Sequence, residues 1–296
     1  DTARINVVTD RVLPFMVLGG VSYPLGRYMF SDNTQRIFTS GNLGNGVLLD
    51  EMNIVDQQLE KSYSATVIQD TAGNVSSATL AQQAVNALLT GLPISVSIEP
   101  SAFYTIGSWA AGTKRWQPMQ DLSIDGDWFS PWFDNTGEMR FIRTFDPATA
   151  IPAFDFDTGT KVYRDSIALT NDLLDAPNRF IVISNGAVSA SAAAIPIVGR
   201  YDIPSSAPHS IGNRGFVIPS VEDRQIDTQA QADAAARNLG QRQTIFERTT
   251  LNTAPDPRHD GYDVIRWQGE NWLELGWSLP MIEGSAMTHT MRKSYT

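Results

Sequence analysis

Helical periodicity is scarce along this chain, and that scarcity limits the fold more than any other feature. Only two stretches of the 296 residues carry a convincing period near 3.6. The rest is short apolar or alternating runs cut by glycine and proline. In residues 1–70, Val7-Val8, Val12, Phe15-Met16-Val17-Leu18 before Gly19-Gly20, Val47-Leu48-Leu49, and Ile54 with Val55 all read as β-type runs. The expectation is a mainly β protein with an α+β insert.

The first helix is expected within SSATLAQQAVNALLTGLP, capped by Ser77 or Thr79, with Leu80, Ala84, Ala87 and Leu88 on one face. Gly91 supplies the left-handed residue past its end, and Pro93 forbids continuation. A strand follows, with Ile94, Val96 and Ile98 on one side. The second helix lies in DTQAQADAAARNLGQRQ, where Thr228 and Gln231 have capping-box spacing and Gly240 reads as the stop. After it, QTIFERTTL, YDVIRWQ, NWLELGWSL and SAMTHTMRKSY read as strands.

Residues 108–145 concentrate tryptophan: Trp109, Trp116, Trp128 and Trp132. Gln117–Ile124 is expected to form one or two helical turns with Met119 and Leu122 inward. WFDNTGEMRF is a hairpin signal with Asn135-Thr136-Gly137 at its tip. Core packing explains the tryptophans best, because aromatics supply large buried area. The competing reading is a carbohydrate-stacking face on a β-sandwich.

The formal net charge of −10 disfavours sequence-independent nucleic-acid binding. The absence of cysteine excludes disulfides, thiolate catalysis and Cys-rich zinc sites. No apolar run approaches the roughly 20 residues that span a bilayer. The opening DTARINVVTDRVLPF does not read as a signal peptide, and without an initiator Met a processed or partial chain is expected.

Asp157-Thr158-Gly159, after a run of aromatics, carries the aspartic-protease signature, and Ile197-Val198-Gly199-Arg200 resembles a supporting element of retroviral-type proteases. Three features oppose it. Asp155 shares the strand face of Asp157, so two like charges would sit side by side. Position 160 is Thr rather than Ser or Ala, and no second Asp-Thr-Gly or Asp-Ser-Gly exists, so activity would need a symmetric dimer. A turn between two strands is the simpler reading.

Other motifs stay isolated. Ser31-Asp32-Asn33 has no Ser-x-x-Lys or Lys-Thr-Gly beside it, and Gly41, Gly44 and Gly46 lack the lysine of a P-loop. No Gly-x-Ser-x-Gly occurs. His209, His259 and His289 show no metal-ligand spacing, and the last two read as solvated. Asp121, Asp125 and Asp127 around Gly126 do not follow the EF-hand order and read as a solvated turn. No catalytic, cofactor or metal residue is therefore assigned.

The order of elements carries a resemblance. The Gln229–Leu239 helix, the strand after it, the loop PDPRHDG and the strand opening at Gly261-Tyr262-Asp263-Val264 are similar to the closing β-barrel of phage tail hub proteins. AVNALLTGLP, SWAAGTKRW, a helical turn and WFDNTGEMRFIRTFDP resemble the insert between the two barrels of such hubs. The likeness implies β-barrel domains at 1–75 and 166–296 flanking a mixed domain at 76–165. It further implies a homotrimer whose six barrels form a pseudo-sixfold ring capping the tail tube in the virion. Implied partners are the distal tail protein, tube and tip proteins, and the tape measure protein in the lumen. The implied role is structural, without catalysis or cofactor.

Overall fold

The computed structural model describes residues 10–38, 41–65, 68–69, 75–77, 79–101, 103–105, 107–157, 162–171, 175–184, 196–224, 226, 228–243, 247–280 and 284–293. The protein is mainly β with few helices. Among the described residues the strand pairings close no barrel, where two barrels were expected.

Near the start, Phe15–Leu18 and Val21–Pro24 form an antiparallel hairpin. Gly19 and Gly20 both take positive φ, 59° and 83°, which a two-residue turn joining right-twisted strands requires. The hairpin is a sheet of its own. Beside it, Arg11–Val12, Tyr28–Phe38 and Gly41–Asp50 form a three-stranded antiparallel sheet. Glu51, fully buried, holds Arg11 at 3.3 Å and Arg27 at 3.1 Å. Ile54 and Val55 lie in a short helix, Met52–Val55, rather than in a strand, and both are buried. Val7 and Val8 lie outside the described residues.

The middle of the chain builds one core from two helices and a three-stranded sheet. Helix Ala81–Leu89 buries Ala81, Ala84, Val85, Leu88 and Leu89, while Ala87 is exposed. Its inward stripe is therefore rotated from the expected one. No side chain caps its start: Thr79 and Leu80 form a short strand against Tyr104–Thr105 instead. Gly91, at φ 84°, ends it as expected. Ser95–Ile98 pairs in parallel with Glu138–Phe141, and Trp132–Phe133 completes the sheet. In the hairpin tip, Asp134 Oδ1 accepts from the amides of Thr136 and Glu138 at 2.9 and 3.0 Å. Helix Trp116–Asp125 brings Met119 and Leu122 into the same core as Trp109, Trp128, Met139 and Phe141.

A second core lies under helix Gln229–Gln243. Its start is capped by Thr228, whose Oγ1 accepts from the Gln231 amide at 3.2 Å. Ala232, Ala235, Ala236 and Leu239 cover Phe180 and Val182 of a sheet ordered Ile197–Asp202, Arg179–Ser184, Pro219–Asp223. Gly240 is not the helix stop but an interior residue of the helix. A Cβ there would meet the Tyr201 ring at 2.5 Å. Gly199 is tighter still, since its Cβ would lie 2.1 Å from the Ala232 carbonyl oxygen. These glycines let helix and strand backbones approach.

The third core is a six-stranded sheet ordered Phe154–Asp155, Val264–Trp267, Glu270–Ser278, Met287–Lys293, Glu247–Thr253, Val162–Asn171. It joins segments on both sides of residue 166. Asn171 and Glu247 are register partners, so the chain leaves and re-enters the sheet at one place. Between Glu274 and Gly276 the register shifts, and Trp272, Leu273 and Glu274 are all buried in succession.

Candidate functional site

Asp157 sits outside any buried dyad. It is exposed, its Oδ2 accepts from the Gly269 amide at 2.8 Å, and it lies 3.4 Å from Arg266 Nε. It thus holds the tight turn at Gln268-Gly269, where both residues take positive φ. Asp155 Oδ1 accepts from the Asp157 amide at 2.9 Å. Thr158 and Gly159 lie outside the described residues. In Ile197-Val198-Gly199-Arg200, Gly199 serves the helix contact described above, and Arg200 pairs with Asp202.

The four tryptophans form no flat exposed face. Trp109 and Trp128 are buried, Trp128 edge-on to Phe141 with centroids 5.6 Å apart. Their indole N–H groups donate to Asp121 Oδ2 and to the Glu99 carbonyl, at 2.8 and 2.9 Å. Trp132 donates to Asp260 at 3.0 Å. Core packing accounts for them.

The three aspartates around Gly126 do not converge on one point, and they are not a solvated turn. Asp121 and Asp125 are helical, Asp125 is buried and accepts from Thr105 Oγ1 at 2.8 Å, and Asp127 accepts from Thr144 Oγ1 at 2.5 Å. Burial pushes the Asp125 carboxyl up to about 6, against the opposing pull of Arg224. Asp121, Asp125 and Arg224 line a cleft with Trp109, Gln117 and Glu222. Ser31-Asp32-Asn33 and Gly41, Gly44 and Gly46 belong to paired strands, so neither forms a catalytic or phosphate-binding loop.

The histidines overturn the sequence reading most sharply. His259 and His289 are fully buried rather than solvated, and His209 is fully buried as well. His259, in the loop before Val264–Trp267, and His289, on Met287–Lys293, converge on Glu274 of the strand between. Glu274 Oε2 lies 2.8 Å from His259 Nδ1, and Oε1 lies 2.6 Å from His289 Nδ1. Burial pushes the Glu274 carboxyl up to about 7 and the His289 imidazole down to about 4. The face of Phe154 stacks on His259 with centroids 3.6 Å apart.

Among the described residues, exposed apolar side chains crowd the N-terminal hairpin. Leu13, Phe15, Val17, Leu18 and Val21, in and beside the N-terminal hairpin, are all exposed, Phe15 at 63%. A two-stranded hairpin is marginal alone and gains stability when such a face is covered.

The described residues therefore form an open, mainly β fold with four apolar clusters. Three solved structures that align with it are tail proteins. The tail protein from Neisseria meningitidis MC58 aligns at TM-score 0.57 with 11% identity, over 94% of this chain and 83% of that one. The 43 kDa tail protein of prophage MuSo2 from Shewanella oneidensis aligns at 0.56 with 9% identity, over 94% and 81%. The prophage tail protein gp18 from Listeria monocytogenes EGD-e aligns at 0.54 with 10% identity, over 96% and 83%. No protein-family model and no curated protein sequence matches the chain. At these identities the likeness is one of fold, and it runs almost end to end.

Proposed function

We propose that this chain is a structural protein of the virion, a tail hub that caps the tail tube at its distal tip. It acts as a homotrimer, adapts the tube to tip and host-recognition proteins, and forms part of the DNA ejection conduit. Its β-rich units at 1–75 and 166–296 flank the 76–165 insert, and three copies set six of them in a pseudo-sixfold ring. Its partners are two further copies of itself, the distal tail protein with tube and tip proteins, and the tape measure protein in the lumen. It has no catalytic role.

The fold carries this reading: three tail proteins share it over 94–96% of the chain. Two properties support it. The exposed hairpin offers apolar surface to the next copy, as ring assembly demands. The net charge of −10 suits a wall past which DNA slides without sticking. Mass photometry of the purified chain, with antibody labelling of whole particles, tests it. A trimer and labelling confined to the tail tip are expected; a stable monomer or twofold dimer in the native particle overturns it.

A further inference from the structure

We propose that His259, Glu274 and His289 form a binding site for one divalent metal ion of the zinc class, pinning the loop before Val264–Trp267 to two neighbouring strands. This rests on side-chain chemistry alone and stands apart from the tail reading. The three residues are fully buried and their donor atoms lie within 4.8 Å of one another. Two imidazoles and one carboxylate make a borderline-to-hard donor set that suits zinc, with a fourth position left open.

Charge supplies the first argument. Glu274 is sealed from water, and its ion-pair partners among the described residues are imidazoles, which bring positive charge only when protonated. A buried carboxylate without a cation is costly. A divalent ion supplies the missing charge at the point where three donors already converge.

The tautomer supplies the second. The hydroxyl of Thr253 donates to the Ala254 carbonyl at 3.0 Å, and the same oxygen lies 2.8 Å from His289 Nε2. With its one proton committed, the Thr253 hydroxyl accepts a hydrogen bond from Nε2–H. A neutral His289 protonated at Nε2 directs the Nδ1 lone pair toward Glu274, as a metal ligand must. This is the usual supporting shell of a ligating histidine, with the far nitrogen held so that the near one coordinates. Phe154, stacked on His259, fixes the plane of the second ring.

The geometry needs little change. Tetrahedral zinc separates its donors by roughly 3.3 Å, given bond lengths of about 2.0–2.2 Å. The present contacts of 2.8 and 2.6 Å open by about half an ångström to admit the ion.

The test uses the whole chain, stripped with EDTA, desalted, and titrated with ZnCl2, with CoCl2 as an optical probe. One zinc per chain, a melting temperature raised by at least about 4 °C, and a tetrahedral Co2+ band are expected. His289→Gln and His259→Gln should each weaken zinc binding at least about tenfold. Should these variants misfold, X-ray absorption of the zinc-loaded wild type decides instead, with a shell of nitrogen and oxygen donors including two imidazoles expected. Three results overturn the proposal: no retained zinc in the wild type, binding undiminished in both folded variants, or a shell without two imidazoles.

Discussion

At the scale of single residues, two glycines that look alike in sequence do different things. Gly199 faces backbone, the Ala232 carbonyl, whereas Gly240 faces the Tyr201 ring. Backbone cannot step aside, so Gly199→Ala should cost about 3 kcal/mol through overpacking. At Gly240 the added methyl meets the packed rings of Tyr201 and Phe180 rather than backbone, and roughly 1 kcal/mol of helix propensity offsets part of that clash, so Gly240→Ala should cost less than Gly199→Ala. Urea denaturation of both variants checks the ordering, and equal losses would show that the helix shifts bodily. Asp125 gives a pH prediction. Its folded pKa, about 6, exceeds the ordinary carboxyl value of 3.8, so the folded chain holds the proton more tightly. That contribution is complete below about pH 4 and is lost as pH rises through about 6. Asp125→Asn should therefore gain on wild type between pH 4 and pH 7, by up to about 3 kcal/mol. A difference that does not vary with pH would mean that Asp125 stays ionised.

Elements were legible in the sequence where their cause is local. The Gly19-Gly20 turn, the Asp134–Gly137 tip and the Thr228 cap each draw on residues a few positions apart, and each formed where expected. What stayed hidden was non-local. Gly240 reads as a stop because nothing nearby reveals the Tyr201 ring that excludes a side chain. His259 and His289 read as solvated because burial comes from the register of three strands, and the irregularity at Glu274–Gly276 breaks the alternation that would have flagged Glu274. The one usable signal was a carboxylate inside the apolar run Trp272–Leu275, which is costly without partners. Of the candidate contact surface, the apolar hairpin was readable as a strand pair but not as exposed. If it joins copies of the chain, Phe15→Ser with Val17→Ser should shift mass photometry from trimer toward monomer. The melting temperature of the monomer should move by no more than about 2 °C, because surface changes cost little. A trimer that persists would place the contact elsewhere.

At the scale of the whole molecule, if three copies form the proposed ring, the excess of acidic side chains has two places to go, the outer wall or the channel. A DNA conduit favours the channel, since every lysine or arginine there adds a phosphate contact. In a map of the assembled particle, Asp and Glu should outnumber Lys and Arg among axis-facing residues; a basic channel would remove the sliding argument and leave the fold untouched. The pairing of Asn171 with Glu247 has a different bearing, on how such a chain can change over generations. Because exit and return coincide, residues 172–246 join the sheet at one socket, while Arg224, Asn238 and Arg242 bond Asp121, Trp128 and Gln120 of the middle segment. Residues 172–246 replaced by an Asn-Gly turn should leave the β circular-dichroism signal and the shielded emission of Trp267 and Trp272 in place. Loss of both signals would show that this segment also braces the sheet. With a socket of this kind, a lineage can swap or enlarge one module while the strands that hold it keep their neighbours.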